Sequence, residues 1–295
     1  MLTNSPSLKS LSIHGYQGRG WSLDVAPLLL TPYRPSLRSL TLQGVACNLS
    51  IENFESDNRQ LAEFFLSLVD LEELSLGGSV GRRNLELRMM MKDALEEGER
   101  ETLFPKLRQF EGTSTNDIWL MLSGITTIDT LTTNVLEPID EAEYGALLIA
   151  MPTTMVEASI CFARYDPLRP TVESAIERIA VACPRLRRLS IDAVSSLRFS
   201  ARSMTRVSVP SHYPSIIQSI TNLPLLSSLH LPPHRVCGID SNLADVASEF
   251  FEACSHLLRL DFAGEPRDGH SGSVEATRWE RRCTREGKMI AVDVT

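Results

Sequence analysis

Apolar residues recur along this chain in one local pattern, Leu-x-x-Leu-x-Leu, about once per 30–40 residues. The copies are Leu8/Leu11/Ile13, Leu37/Leu40/Leu42, Leu71/Leu74/Leu76, Leu186/Leu189/Ile191, Leu226/Leu229/Leu231 and Leu257/Leu260/Phe262, with a partial copy opening at Leu107. The last two apolar residues of each copy stand at i and i+2. That is strand spacing, with both side chains on one face and the residues flanking them on the other. A unit that returns at a near-constant period stacks on its neighbours instead of closing around one core. The degenerate middle of the chain is filled by Ile125-x-x-Ile128 and Met155-x-x-Ala158-x-Ile160. The steps from Leu8 are then 29, 34, 36, 18, 30, 31, 40 and 31 residues. Strands of constant form are therefore joined by connections of variable length.

The connections carry helical periodicity. Arg59 to Val69 places Leu61, Phe64, Phe65 and Leu68 on one stripe. Pro170 to Ala182 opens with a proline and continues with Val172, Ala175, Ile176 and Ile179 at helical spacing. Asp240 to Ala253 does the same with Leu243, Val246, Ala247, Phe250 and Phe251; Asp140 to Met151 and Tyr213 to Thr221 are shorter helices. Gly81 to Glu101, with its Arg88-Met-Met-Met-Lys92 segment, reads as a helix laid outside the repeats. Strand and helix in alternation imply parallel neighbouring strands, because each return crosses through a helix.

At the C-terminus, Ser273 to Arg285 is expected to be a polar helix and Met289 to Val294 a strand, together one last repeat. At the other end, Met1 stands almost inside the first repeat without a capping helix. That abrupt start suggests a preceding domain or a different natural start. The chain is expected to be one domain over 1–295, with 263–295 as its terminal repeat or cap. Its fold class is α/β: a solenoid with parallel strands on the concave face and helices on the convex face.

Two copies have a cysteine three residues ahead of the first leucine. Cys183-Pro-Arg-Leu186-Arg-Arg-Leu189-Ser-Ile191 and Cys254-Ser-His-Leu257-Leu-Arg-Leu260-Asp-Phe262 resemble the cysteine-containing repeats of F-box leucine-rich-repeat proteins. The Trp279…Cys283…Gly287 ending is similar to fungal members of that group. The resemblance implies a horseshoe that recognises substrates for an SCF-type ubiquitin ligase. Two features depart from it. No F-box segment is visible. The family's Asn or Cys three residues after the last strand leucine is replaced by Tyr16, Val45, Ser79, Val194, His234 and Glu265, so the turns must be held in some other way.

Composition narrows the function. The net charge of −8 and pI near 5.4 argue against nucleic acid as a partner and favour neutral or basic ones. No apolar run reaches the ~18 residues a membrane helix needs, and no signal peptide is apparent in Met1 to Ser10. The six cysteines include no Cys-x-x-Cys pair and fit reduced thiols in a cytoplasmic or nuclear protein.

The strand residues that alternate with the leucines should line the concave surface. They are His14, Gln43, Glu73, Gln109, Glu111, Arg188, Asp192, His230, Arg259 and Asp261, joined in the middle repeats by Asp129 and Glu157. Six acidic residues stand against two basic ones, which suits a basic segment of a protein partner. Other constellations are weaker. Gly15-Tyr-Gln-Gly18-Arg-Gly20 has the wrong glycine order for a dinucleotide loop. His230, His234 and Cys237 lack the fourth ligand and paired spacing of a structural zinc site. No nucleophile or phosphate-loop motif occurs. No cofactor or metal is expected. The function read from the sequence is a non-catalytic, monomeric protein–protein interaction module. Two other readings stand beside it: a general scaffold or truncated gene product without a dedicated partner, and an enzyme on an α/β frame.

Overall fold

The computed structural model describes residues 7–15, 23–30, 36–47, 52–78, 104–112, 127–134, 151–163, 172–194, 212–232, 237, 239, 242–263, 277–283 and 289–294. It divides into two compact units, Met1–Glu137 and Pro138–Thr295. Both are α/β and both are built from the leucine motif.

In the first unit the motif strands are β1 (Ser10–His14), β3 (Ser39–Ala46), β4 (Glu73–Gly78), β5 (Gln109–Gly112) and β6 (Thr130–Asn134). They pair in that order, all parallel; a short β2 (Leu23–Asp24) adds to the end of β3. Register places the motif residues opposite one another: Leu11 on Leu40, Leu40 on Leu74, Leu74 on Phe110, Phe110 on Leu131. Leu40, Leu74, Phe110 and Leu131 are buried, while Leu11 and Ile13 on the terminal strand stay half-buried. Helices α1 (Ala26–Leu29) and α2 (Phe54–Ser67) lie between strands in sequence. The predicted stripe Leu61, Phe64, Phe65 and Leu68 is buried, and the two phenylalanines meet edge to face.

The second unit repeats the scheme. Parallel strands β7 (Glu157–Ala163), β8 (Arg188–Val194), β9 (Ser228–Leu231) and β10 (Arg259–Phe262) align Ala158, Leu189, Leu229 and Leu260. Between them run α3 (Val172–Ala182), α4 (Tyr213–Ile220) and α5 (Leu243–Ala253), at the positions the periodicity predicts. Asn242 caps α5 by accepting a hydrogen bond from the Ala244 amide at 3.1 Å. Phe250 of α5 meets Phe262 of β10 edge to face at 6.3 Å, so helix and strand share one core.

How the turns are held is now visible. In six described repeats the residue three before the first motif position closes a tight turn. Leu71 N–H donates to Leu68 C=O, Leu107 to Phe104, Met155 to Pro152, Leu186 to Cys183, Leu226 to Leu223 and Leu257 to Cys254, at 3.0–3.2 Å. Next, the carbonyl just ahead of each strand accepts two successive N–H groups from the following repeat. Arg38 C=O takes Glu72 and Glu73, Glu72 C=O takes Arg108 and Gln109, and Arg187 C=O takes Ser227 and Ser228. This backbone ladder satisfies polar groups that the stack would otherwise bury, and it needs no asparagine. The cysteines add to it: Cys183 and Cys254 thiols donate to the carbonyls of Pro152 and Leu226, in the preceding repeat, at 3.7 and 3.9 Å.

Three expectations are corrected. The middle repeat opens at Ile128, not Ile125: Ile128 and Leu131 are fully buried and Leu131 pairs with Phe110. The steps are therefore 21 residues from Leu107 to Ile128 and 27 from Ile128 to Met155. Ser273 to Arg285 is not a helix; β11 spans Thr277–Cys283. The C-terminus is not a last parallel repeat either. β11 runs antiparallel to β10, and β12 (Met289–Asp293) runs antiparallel to β11, a hairpin closing the edge of β10. Trp279 of β11 is buried opposite Leu260, while Arg278 and Glu280 face away from the core. That alternation is strand-like. The helices expected at Gly81–Glu101 and Asp140–Met151 fall outside the described residues, apart from Met151.

One backbone detail depends on glycine. Gly44 has φ of 62° at a register shift between Gln43 and Val45. Gly15 N–H donates to Gln43 C=O at 2.7 Å, so close to this bulge that a Cβ on Gly15 would sit 2.1 Å from the Gly44 oxygen. Gly15 is thus a packing glycine; Gly18 and Gly20 lie outside the described residues.

Candidate functional site

The strand face opposite the leucines carries the candidate residues. In the first unit, register sets them in columns: Ser10, Ser39, Glu73, Gln109 and Thr130 form one, and Ser12, Thr41, Ser75, Glu111 and Thr132 the next. His14 lies opposite Gln43, and its ring nitrogen is 2.7 Å from Ser12 Oγ. Gln43 reaches across β4. Its Nε2 donates to Ser75 Oγ at 3.1 Å and to Glu111 Oε2 at 3.3 Å, and Ser75 Oγ donates to the same carboxylate oxygen at 2.8 Å. The path is open because position 77 is glycine; a Cβ there would come within 3.1 Å of Gln43 Cγ. Glu111 is therefore held in place by two neighbours, while Glu73 projects exposed one strand away. No lysine or arginine occurs among the described residues of this face. Two described basic groups lie near the strand starts, where Arg38 pairs with Glu72 at 3.6 Å and Lys106 with Asp70 at 2.5 Å. The Lys106 ammonium, by hydrogen bond and charge, holds the Asp70 carboxyl below the usual carboxylate range. Asp129 is also at a strand start, its amide bonded to Arg108 C=O, and is displaced from the face by the corrected register.

The second unit is electrically different. Glu157 of β7 pairs with Arg188 of β8 at 3.3 Å. Asp192 lies opposite Cys161 in register; its side chain falls outside the description. His230 of β9 lies opposite Asp261 of β10. Asp261 is no free surface acid: it is only 5% exposed and held between two arginines. Arg259 Nε donates to Asp261 Oδ2 at 2.7 Å, and Arg278 Nε, from β11, donates to Oδ1 at 3.0 Å. Arg282 and Glu280 pair beside them at 3.3 Å. The sequence reading missed Arg278, Glu280 and Arg282 because it took that segment for a helix. The available signal was the alternation around Trp279.

The thiols are placed as structural groups. Burial pushes Cys183 and Cys237 up to about 12, the charge of Glu173 adding to the effect at Cys237; Cys47 rises as far through burial and nearby Asp24 and Asp57. His234 lies outside the described residues; among the described residues no group of three or more metal-binding side chains is assembled. The shifts carry a pH dependence. A thiol with its folded value raised contributes stability below the unfolded value of 9.0, and that contribution is lost as pH rises from 9.0 toward 12. Each of Cys183 and Cys237 should steepen the alkaline loss of stability by about 1.4 kcal/mol per pH unit in that window. Urea unfolding at pH 8, 9, 10 and 11 checks this; Cys183→Val should flatten the curve.

The class these two units define is the leucine-rich-repeat solenoid: short parallel strands in register, helical returns, one copy of the motif per repeat. No family model matches the chain, and no curated protein matches it in sequence. Among solved structures, the leucine-rich repeat-containing protein LegL7 from Legionella pneumophila is similar, with 13% identity and a TM-score of 0.42. The match covers 85% of this chain and 72% of that one. No helix among the described residues is long and apolar enough to cross a membrane.

Proposed function

We propose that this chain is a non-catalytic protein-binding module that holds a basic, extended segment of a partner protein against the strand face of Met1–Glu137. The observation that carries this reading is the pair Glu73 and Glu111. They stand diagonally on adjacent strands, within reach of one long side chain, on a face without a described lysine or arginine. His14, Gln43 and Gln109 supply hydrogen-bonding groups around them. A frame held by backbone ladders keeps these side chains in place before binding, which lowers the ordering cost. The remaining predicted positions, Arg188, Asp192, His230, Arg259 and Asp261, belong to the second unit's own face.

A fluorescein-labelled octapeptide of alternating lysine and serine tests the site by anisotropy. Glu73→Lys combined with Glu111→Lys should weaken its binding about tenfold or more at low salt, with added salt weakening the unmodified chain's binding. A change under about twofold would discard the acidic-face mechanism.

The finer role we propose is substrate recognition for an SCF-type ubiquitin ligase, in a monomeric protein of the cytoplasm or nucleus. Its support is the pair of cysteine-containing repeats, whose thiols donate to the preceding repeat. The full-length gene is then expected to encode an in-frame F-box and its product to copurify with the ligase adaptor. A full-length product lacking both would remove this role and leave the binding module.

A further inference from the structure

The Arg259–Asp261–Arg278 cluster has chemistry that the fold does not consume. Asp261 is buried to 5% exposure, yet each arginine keeps over two-fifths of its side chain in solvent. Arg259 commits Nε and Nη2 to Asp261 Oδ2, both at 2.7 Å. Arg278 commits only Nε, to Oδ1 at 3.0 Å. A guanidinium has five N–H donors in a fixed fork, so Arg259 Nη1 and both terminal nitrogens of Arg278 keep donors with no partner among the described residues. The charges are also unequal: two guanidinium groups share one carboxylate, a surplus of one positive charge. The adjacent Arg282 and Glu280 pair with each other and do not cancel it.

We infer that this clamp is a recognition site for a carboxylate side chain of a protein partner. Asp261 orients both guanidinium groups from below, and their free edges receive the incoming carboxylate from solvent. Such bidentate pairing is the strong form of the charge-assisted hydrogen bond. A single surplus charge matches a carboxylate, whereas a phosphate dianion would leave one negative charge unanswered. Antiparallel β11 makes the site, because it sets Arg278 directly opposite Asp261. The site lies in a different unit from Glu73 and Glu111 and takes the opposite charge, so each proposal can fail without the other.

The test uses the whole chain, with the arginine Nε–Hε signals followed by NMR at constant ionic strength. Sodium acetate should shift the Arg259 and Arg278 signals saturably. Arg278→Gln should weaken the acetate response read at Arg259 about fivefold or more. If that variant melts at a lower temperature, Arg278→Lys provides the comparison and should lose at least twofold, since lysine keeps the charge without the fork. No saturable response, or one undiminished in both variants, overturns the site. Sodium phosphate binding about tenfold tighter than acetate overturns the carboxylate assignment in favour of a phosphorylated segment.

Discussion

Leu229→Ala is expected to destabilise the Pro138–Thr295 unit by about 3 kcal/mol, within the range of buried leucine truncations. Leu229 is 0% exposed and lies in register between Leu189 of β8 and Leu260 of β9's other neighbour, β10. Truncation removes apolar contact with both rungs and leaves a cavity the two strands cannot close, because their backbones are tied by the ladder at Arg187 and Ser227. Leu225 provides the control. It is the same residue type four positions earlier, yet 43% exposed, and Leu225→Ala should cost under about 0.5 kcal/mol. Urea unfolding followed by circular dichroism separates the two. Equal losses would mean that Leu229 is not an inward rung, and the repeat architecture would fall with it.

The second large effect is expected at Arg281. From β11 its side chain enters the C-terminal end of α5, where Nη1 and Nη2 donate to the carbonyls of Ser255 and Phe251. Its Nη1 also lies 3.5 Å from Cys254 C=O, and the guanidinium stands 5.7 Å from the Phe251 ring centroid. A cation there answers the unpaired carbonyls and negative end of the helix. The Nε atom is buried without a partner, which offsets part of the gain. Arg281→Ala should therefore cost about 2 kcal/mol. It should also speed amide exchange through Thr277–Cys283 and Met289–Asp293 while β8 and β9 stay protected. Arg281→Lys should restore less than half, because a point charge cannot serve two separate carbonyls in one plane. Unchanged exchange in the hairpin would show that Arg281 does not fasten it.

The rungs and the helices were legible because each is a local statement. Leu61, Phe64, Phe65 and Leu68 repeat at helical spacing, and Leu229 and Leu231 at strand spacing; both patterns name the face that must leave water. The candidate face followed by alternation, so Glu73 and Glu111 were placed from the chain alone. The arginine clamp was not. Asp261 read as an exposed acid because nothing near it in sequence announces Arg278, seventeen residues on and across a strand pair.

Three things were decided only in three dimensions, each for a physical reason. Ile125 and Ile128 are both apolar and offer two registers; pairing of Leu131 with Phe110 selects Ile128. The alternation around Trp279 allows a strand but does not say in which direction it runs or which strand it joins; the open edge of β10 takes it as an antiparallel neighbour. The ladder that replaces the asparagines is made of backbone N–H and C=O groups, which every residue but proline possesses. Side-chain order thus determined which residues turn inward in this protein. Strand direction, register and the company kept by Asp261 depended on which edges met.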